Sequence, residues 1–301
     1  MTIDISRLRA RTSVLSDGTQ TLRRVHLFDD KEIDAVEAAL RAERPLLLRG
    51  EPGGGKSQLA EAVAKEMGWG FVKQTVDGNT DPDDLKWTED TVERLATAQY
   101  AAHIGISRDR ETIIAELHRK HFVKPGVLWE AFDWASARPG SKAPERVVVL
   151  IDEIDKADSS VPNALLEALG SAEFTPPGCD QVVARVWPLV VITTNEDRPL
   201  PPAFLRRCLV HRMDPPKEKL DGWLIARGRA LFEDAPEEIL KEAAKVVITD
   251  RTTATQLPRA GLAEYLDLLR ALLSDGERDK EKLLKTMMRI QSFFLDKTRG
   301  R

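Results

Sequence analysis

One short stretch of this sequence is more informative than any other: Arg49-Gly50-Glu51-Pro52-Gly53-Gly54-Gly55-Lys56-Ser57. It follows an apolar run that ends at Leu48, and an amphipathic helix comes after it. Glycines let consecutive backbone N–H groups turn inward around phosphate oxygens. Lys56 can reach the terminal phosphates, and the Ser57 hydroxyl can complete a Mg²⁺ shell. The helix adds the positive end of its dipole. The sequence therefore predicts a phosphate-binding loop for a nucleoside triphosphate with Mg²⁺.

The nucleotide-binding residues are expected in this loop and in the first turn of its helix. They are Gly50, Glu51, Pro52, Gly53, Gly54, Gly55, Lys56, Ser57 and Gln58.

Composition narrows the class of protein. The chain has 301 residues, a formal net charge of -4 and a pI near 5.9, so we expect no general attraction to nucleic acid. We expect that the first residues are not a signal peptide and that no apolar run is long enough to cross a bilayer. Cys179 and Cys208 lie far apart and form no metal-binding or redox pair. We therefore expect a cytoplasmic protein without a membrane span.

The apolar runs predict the fold class. Val147 to Ile151 and Trp187 to Thr194 are strands that are apolar on both faces, and helices separate them. Such strands belong in a parallel sheet that helices cover on both sides. Together with the loop they predict an α/β fold, a P-loop NTPase core. Beyond Pro216, apolar residues recur at helical spacing, as at Leu262, Leu266, Leu269 and Leu273, which predicts an all-helical lid domain after the core.

The same patterns predict the domain boundaries. Residues 1–26 are polar and form an N-terminal tail or a strap across the domain. The nucleotide-binding core is expected over 27–214, with a largely helical insertion at about 83–145, and the helical lid over 215–301. Pro215 and Pro216 stand at the hinge, because proline does not continue a helix.

Two carboxylates follow the strand that ends at Ile151. In an open α/β sheet, ligands bind at the carboxyl ends of the strands. Asp152 and Ser57 are therefore the expected Mg²⁺ ligands, and Glu153 is expected to orient and deprotonate the water that attacks the γ-phosphate.

Further catalytic candidates follow the next strand. Asn195 ends it with an amide that can donate and accept hydrogen bonds near the same water, although an ordinary turn asparagine is the alternative. Arg206 and Arg207 then end a short predicted helix. An arginine supplied by a neighbouring subunit stabilises charge on a transferring phosphoryl group. Nothing in the sequence says which of the two has that role.

These motifs, in this order and spacing, resemble the Walker A, Walker B, sensor 1 and arginine-finger elements of AAA+ ATPases. Within that superfamily the chain resembles the MoxR group. The segments that carry this second resemblance are Phe122-Val123-Lys124-Pro125-Gly126-Val127-Leu128, Asn163-Ala164-Leu165-Leu166-Glu167-Ala168-Leu169 and Phe174-Thr175-Pro176-Pro177-Gly178. One departure is Asp155-Lys156, where MoxR proteins usually have Asn-Arg.

The resemblance implies several further properties. Arg259 would be sensor 2, the lid arginine that responds to the nucleotide, and a hairpin inserted in the second helix would begin near residues 76–81. The protein would hydrolyse ATP as a ring of identical subunits, expected to be a hexamer. It would act as a chaperone or remodelling motor on a protein that carries a von Willebrand factor A domain. The alternatives are a nucleotide-dependent assembly or signalling switch with little turnover, and a DNA-linked motor of the restriction or helicase type.

Overall fold

The computed structural model describes residues 5–10, 12–15, 24–104, 118–216, 218–253 and 259–295. Its strands are β1 (Thr12–Val14), β2 (Val25–Leu27), β3 (Leu46–Arg49), β4 (Gly70–Thr75), β5 (Trp87–Glu89), β6 (Val123–Pro125), β7 (Val147–Asp152), β8 (Glu173–Phe174), β9 (Val182–Val183), β10 (Leu189–Thr194) and β11 (Leu209–Arg212). Its α-helices are α1 (Asp30–Ala42), α2 (Lys56–Met67), α3 (Thr91–Ile104), α4 (Val127–Phe132), α5 (Trp134–Ala137), α6 (Ser160–Ser171), α7 (Pro202–Arg207), α8 (Leu220–Leu231), α9 (Glu237–Thr253), α10 (Leu262–Leu273) and α11 (Lys280–Leu295).

A five-stranded sheet with the order β11-β3-β10-β7-β4 forms the centre of the molecule, and all its neighbouring strands are parallel. Every residue of β7 and β10 is buried, since helices cover both faces of the sheet. The prediction of a parallel α/β core is confirmed. The order brings the carboxyl ends of β3, β7 and β10 side by side, and these ends carry the predicted site residues.

The N-terminal segment, where described, packs on the core as a strap. β1 pairs antiparallel with β2. Ile5, Leu8 and Leu15 are buried in the same apolar cluster as α1 and α2. β2 leads directly into α1, whose N-cap Asp29 accepts from the backbone N–H of Glu32 in a capping box. The strap therefore brings residues 24–27 close to the start of α2, beside the phosphate loop.

The inserted region differs from the expected helical insertion at about 83–145. It begins and ends with the two strands of a small antiparallel sheet, β5 and β6, and α3 follows β5. Residues 76–81, where the start of a hairpin is expected, form no strand, and the next strand begins at Trp87. Beyond Gly126 the chain belongs to the core, because Leu128, Trp129 and Phe132 of α4 are buried in the cluster on one face of the sheet.

The C-terminal region is helical, as predicted. Helices α8 to α11 share an apolar cluster of their own around Tyr265, which is fully buried and donates its hydroxyl hydrogen bond to the Leu240 carbonyl, 3.2 Å away. Among the described residues, no helix combines the length and the apolar character needed to cross a membrane.

The packing of the strap against the core can be tested at Leu8, whose side chain has no exposed surface. Leu8→Ala should lower the free energy of unfolding by about 2–4 kcal/mol, because it removes buried methyl groups and leaves a cavity. Urea unfolding followed by circular dichroism measures the change. The neighbouring Arg7 is exposed, so Arg7→Ala should change stability by less than about 0.5 kcal/mol. Equal effects of the two substitutions would contradict the packed strap.

Candidate nucleotide site

The phosphate loop connects β3 to α2 and depends on glycine. Gly50, Gly53 and Gly55 have φ values of 143°, 76° and 91°, which favour a residue without a Cβ. A Cβ at Gly50 would lie 2.9 Å from the Met213 carbonyl oxygen, and one at Gly53 would lie 2.7 Å from the Cβ of Ala263. The loop is therefore closely covered by the end of the core and by the lid.

Lys56 is buried at the centre of this loop, with 6% of its surface exposed. Its ammonium group donates to the carbonyls of Gly50 and Glu51 at 2.8 and 2.9 Å, and to Asn195 Oδ1 at 2.8 Å. Burial lowers the pKa of Lys56, and nearby carboxylates, first Asp152, partly offset that effect. An ammonium group has three donors. A triphosphate oxygen that binds Lys56 must therefore replace at least one of these partners.

The expected Mg²⁺ ligands lie together at the start of α2 and the end of β7. The Ser57 hydroxyl donates to Asp152 Oδ1 over 2.7 Å. In the described part of the chain, no group of three or more His, Cys, Asp or Glu side chains could hold a metal ion. Two hard oxygen donors fit Mg²⁺ all the same, because this ion usually takes one or two protein oxygens and completes its shell with phosphates and water.

Two further residues hold the Asp152 carboxylate. The Thr193 hydroxyl donates to Oδ1 at 2.6 Å, and Lys73 of β4 forms an ion pair with Oδ2 at 2.7 Å. Burial raises the pKa of Asp152, but the hydrogen bonds from Lys73, Thr193 and Ser57 outweigh it and lower the pKa. The carboxylate is therefore kept ionised, as a metal ligand requires.

Glu153 and Asn195 form the next part of the site. Glu153 has the left-handed backbone conformation, φ 63° and ψ 47°, and its N–H donates to Thr193 Oγ1 at 2.9 Å. Asn195 Nδ2 lies 3.4 Å from Glu153 Oε1. Since Asn195 also accepts from Lys56, one amide joins the phosphate-binding lysine to the predicted catalytic carboxylate.

Comparison with known protein families identifies the family of the domain that carries this site. Residues 45–208, more than half of the chain, match the model of the AAA domain, dynein-related subfamily. The chain belongs to this family. The match includes the phosphate loop, both carboxylates at the end of β7, Asn195 and the whole of α7.

Individual relatives of this AAA domain are distant. A 78-residue stretch is 37% identical to midasin from Giardia intestinalis and covers 26% of this chain, although only 1% of midasin. The structure of the P216G mutant of RuvB from Thermotoga maritima superposes with a TM-score of 0.46 at 18% identity, over 86% of this chain and 68% of that one.

The two arginines of α7 stand apart from the other site residues. Arg206 and Arg207 are both exposed. Within the described residues, neither guanidinium group has a hydrogen bond or an ion pair, so neither contacts Lys56 or Glu153 of its own chain. The AAA domain therefore presents both side chains on its surface.

The lid contacts the loop through a residue that the sequence did not single out. Arg251 of α9 holds both carboxylate oxygens of Glu51 at 2.8 Å, and also donates to the Ala260 carbonyl at 3.2 Å. Arg259, the predicted sensor 2, is exposed and has no hydrogen bond or ion pair to a described residue. It lies just before α10, whose Ala263 abuts Gly53. Its role stays a prediction.

A cleft beside the loop was also missed by the sequence analysis. It lies between the strap, the start of α2 and the lid, and its lining includes His26, Gly55, Gln58, Arg227 and Leu262. His26 is buried, and its Nε2 lies 3.1 Å from Glu32 Oε2. Gly55 and Gln58 belong to the predicted loop and helix start, but no local motif marks His26, Arg227 or Leu262, because these residues meet the loop only when the strap and the lid fold against α2.

Asp155 is a further addition to the site. It is 2% exposed and accepts from the backbone N–H groups of Asn195 and Asp197, at 3.4 and 2.9 Å. The carboxylate therefore fixes the turn that carries Asn195. Its place three residues after Asp152 was the available signal, although in the sequence Asp155 stands out only as a departure from the MoxR pattern.

The contact between Arg251 and Glu51 can be measured as a coupling energy. A double-mutant cycle of Arg251→Gln and Glu51→Gln, followed by urea unfolding, should give about 0.5–1 kcal/mol, because the pair is bidentate but Glu51 is partly exposed to solvent. The matched cycle of Arg259→Gln with Glu51→Gln should give less than about 0.3 kcal/mol. A larger coupling for Arg259 would contradict this geometry.

Proposed function

We propose that this AAA domain hydrolyses ATP and works as a MoxR-type motor that remodels a protein partner, assembled as a ring and expected to be a hexamer. The observation that carries the proposal is the connection from Lys56 through Asn195 to Glu153. It links the group that holds the terminal phosphates to the group that would activate water.

The chemistry follows from the positions of these side chains. Glu153 takes a proton from a water molecule as the water oxygen attacks the γ-phosphorus. The bond from that phosphorus to the β–γ bridging oxygen breaks, and ADP and phosphate leave. Lys56 stabilises negative charge on the phosphates, and Asn195 holds the Glu153 carboxylate towards the water. Mg²⁺ bound by Ser57 and Asp152 would neutralise charge on the β- and γ-phosphate oxygens.

The cleft beside the loop is our proposed site for the base and sugar. It borders Gly54 and Gly55 on one side and the lid helices α8 and α10 on the other. A nucleotide there would touch both the core and the lid, so its hydrolysis could change how they sit together. That movement is the proposed source of force on a bound partner.

The exposed arginines of α7 support the ring. A guanidinium group that is free of its own site can serve the site of a neighbouring subunit, and Arg207 is our first candidate. The partner is proposed from the MoxR resemblance to be a protein with a von Willebrand factor A domain.

Hydrolysis is tested with Glu153→Gln and Lys56→Ala. Glu153→Gln should bind ATP with unchanged affinity and hydrolyse it at least about 10²-fold more slowly, because it removes the base. Lys56→Ala should not bind ATP. A fluorescent ATP analogue measures binding and phosphate release measures turnover. Wild-type turnover no faster than that of Glu153→Gln would overturn the motor in favour of a switch, and stimulation by duplex DNA would favour a DNA-linked motor.

The shared site is tested by mixing inactive subunits. Arg207→Ala should bind ATP but hydrolyse it about 10³-fold more slowly. Mixed rings of Lys56→Ala and Arg207→Ala should regain activity, because the first variant supplies intact arginines to the intact loops of the second. Arg206→Ala in place of Arg207→Ala is the matched comparison. Mixtures that stay inactive with both arginine variants would overturn the shared site.

A further inference from the structure

The helix that carries the exposed arginines is too short to be stable alone. α7 has six residues, and isolated helices of this length do not persist in water. Pro202 begins it and Phe204, which is fully buried, anchors it to the core. Phe204 fixes one side of α7. The last carbonyl groups of this helix, however, have no hydrogen-bond partner within the helix.

Arg44 supplies that partner from a distant part of the sequence. Its Nε donates to the Arg207 carbonyl at 3.1 Å, and one terminal nitrogen donates to the carbonyls of Arg206 and, at 3.2 Å, Cys208. One guanidinium group therefore covers three consecutive carbonyl oxygens at the end of α7. Its positive charge also lies at the negative end of the helix dipole.

The backbone around Arg44 is itself well fixed. Arg44 follows Glu43, the C-cap of α1, and its N–H donates to the Ala39 carbonyl at 3.2 Å. Pro45, with its fixed φ, comes next and leads into β3. The Pro45 carbonyl accepts from the N–H of Leu209, the first residue after Cys208 in β11. The base of the Arg44 side chain is thus held at a constant distance from the end of α7.

We propose that Arg44 is a positioning residue for the arginine that a subunit presents to its neighbour. By holding the last carbonyls of α7, Arg44 sets the direction in which Arg206 and Arg207 leave the surface. This inference rests on the proposed shared site. A displacement of about 1 Å in a catalytic group can cost about 10²-fold in rate, so loss of this hold should appear in turnover rather than in nucleotide binding.

The experiment uses Arg44→Met in the full chain. Alone, it should hydrolyse ATP about 10- to 100-fold more slowly, with ATP affinity within about twofold of the wild type. Arg44→Lys, which keeps the charge and some donors, should recover part of the loss. Arg41 lies in the last turn of α1, close to Arg44 in the sequence, but pairs with Glu37, so Arg41→Ala should match the wild type. Thermal unfolding checks that each variant is folded.

Mixtures of variant subunits distinguish a positioning role of Arg44 from general damage to the subunit. Arg44→Met should regain activity with Lys56→Ala, which supplies intact arginines, and should not regain it with Arg207→Ala, which has the same defect. The reverse pattern would place the defect in the nucleotide site of Arg44→Met itself. Recovery with neither variant would overturn the proposal, because general damage to the subunit would then explain the loss. Recovery with both variants would also overturn it, because Arg44→Met would then supply a working arginine to Arg207→Ala.

A reference mixture keeps the two proposals distinguishable. If Lys56→Ala and Arg207→Ala restore each other but Arg44→Met does not behave as an arginine-defective subunit, only the role of Arg44 is wrong. If the reference mixtures with Arg207→Ala and Arg206→Ala both stay inactive, the shared site is wrong and the role of Arg44 falls with it.

Discussion

A buried ammonium group holds the site together. Lys56 lies at the first position of α2, and its three hydrogen bonds reach back to the start of the phosphate loop and across to Asn195 at the end of β10. A buried charge is costly unless it is well paired. The loop, the neighbouring strand end and the carboxylates around them must therefore keep their places for Lys56 to remain charged. Asn195 joins Glu153 to this centre, and Arg251 of the lid contacts Glu51 in the same loop.

The features that can be recognised in the sequence alone are local ones. The phosphate loop, the apolar strands and the pair Asp152 and Glu153 are each contained in a few consecutive residues, and the parallel order follows from strands that are apolar on both faces. The helical lid is similarly visible in its periodicity. In all of these cases the physical cause, a backbone conformation or a buried face, acts within one element.

The features that escaped prediction depend on contacts between distant segments. Thr193 and Lys73 look like ordinary strand residues until β4, β7 and β10 are side by side, and Arg251 looks like any helix arginine until the lid meets the loop. The extent of the predicted insertion is difficult to read from the sequence for a related reason. An aromatic residue such as Trp129 has the same local pattern in an inserted helix as in a core helix, and only burial against the sheet separates the two.

Strand β3 has a consequence for how a ring of such chains would work. Arg44 and Pro45 precede it, the phosphate loop follows it, and β10 and β11 are hydrogen-bonded along its two sides. Four extended residues span about 13 Å and do not shorten easily, so a shift along the strand reaches both ends almost unchanged. One stiff segment thus joins the loop that would hold a subunit's own phosphates to the region beside α7, the helix proposed to reach the next subunit. In the proposed ring, the β3 strand of each subunit would connect its nucleotide site to the helix that reaches the next subunit, and no further element would be needed to couple neighbouring sites.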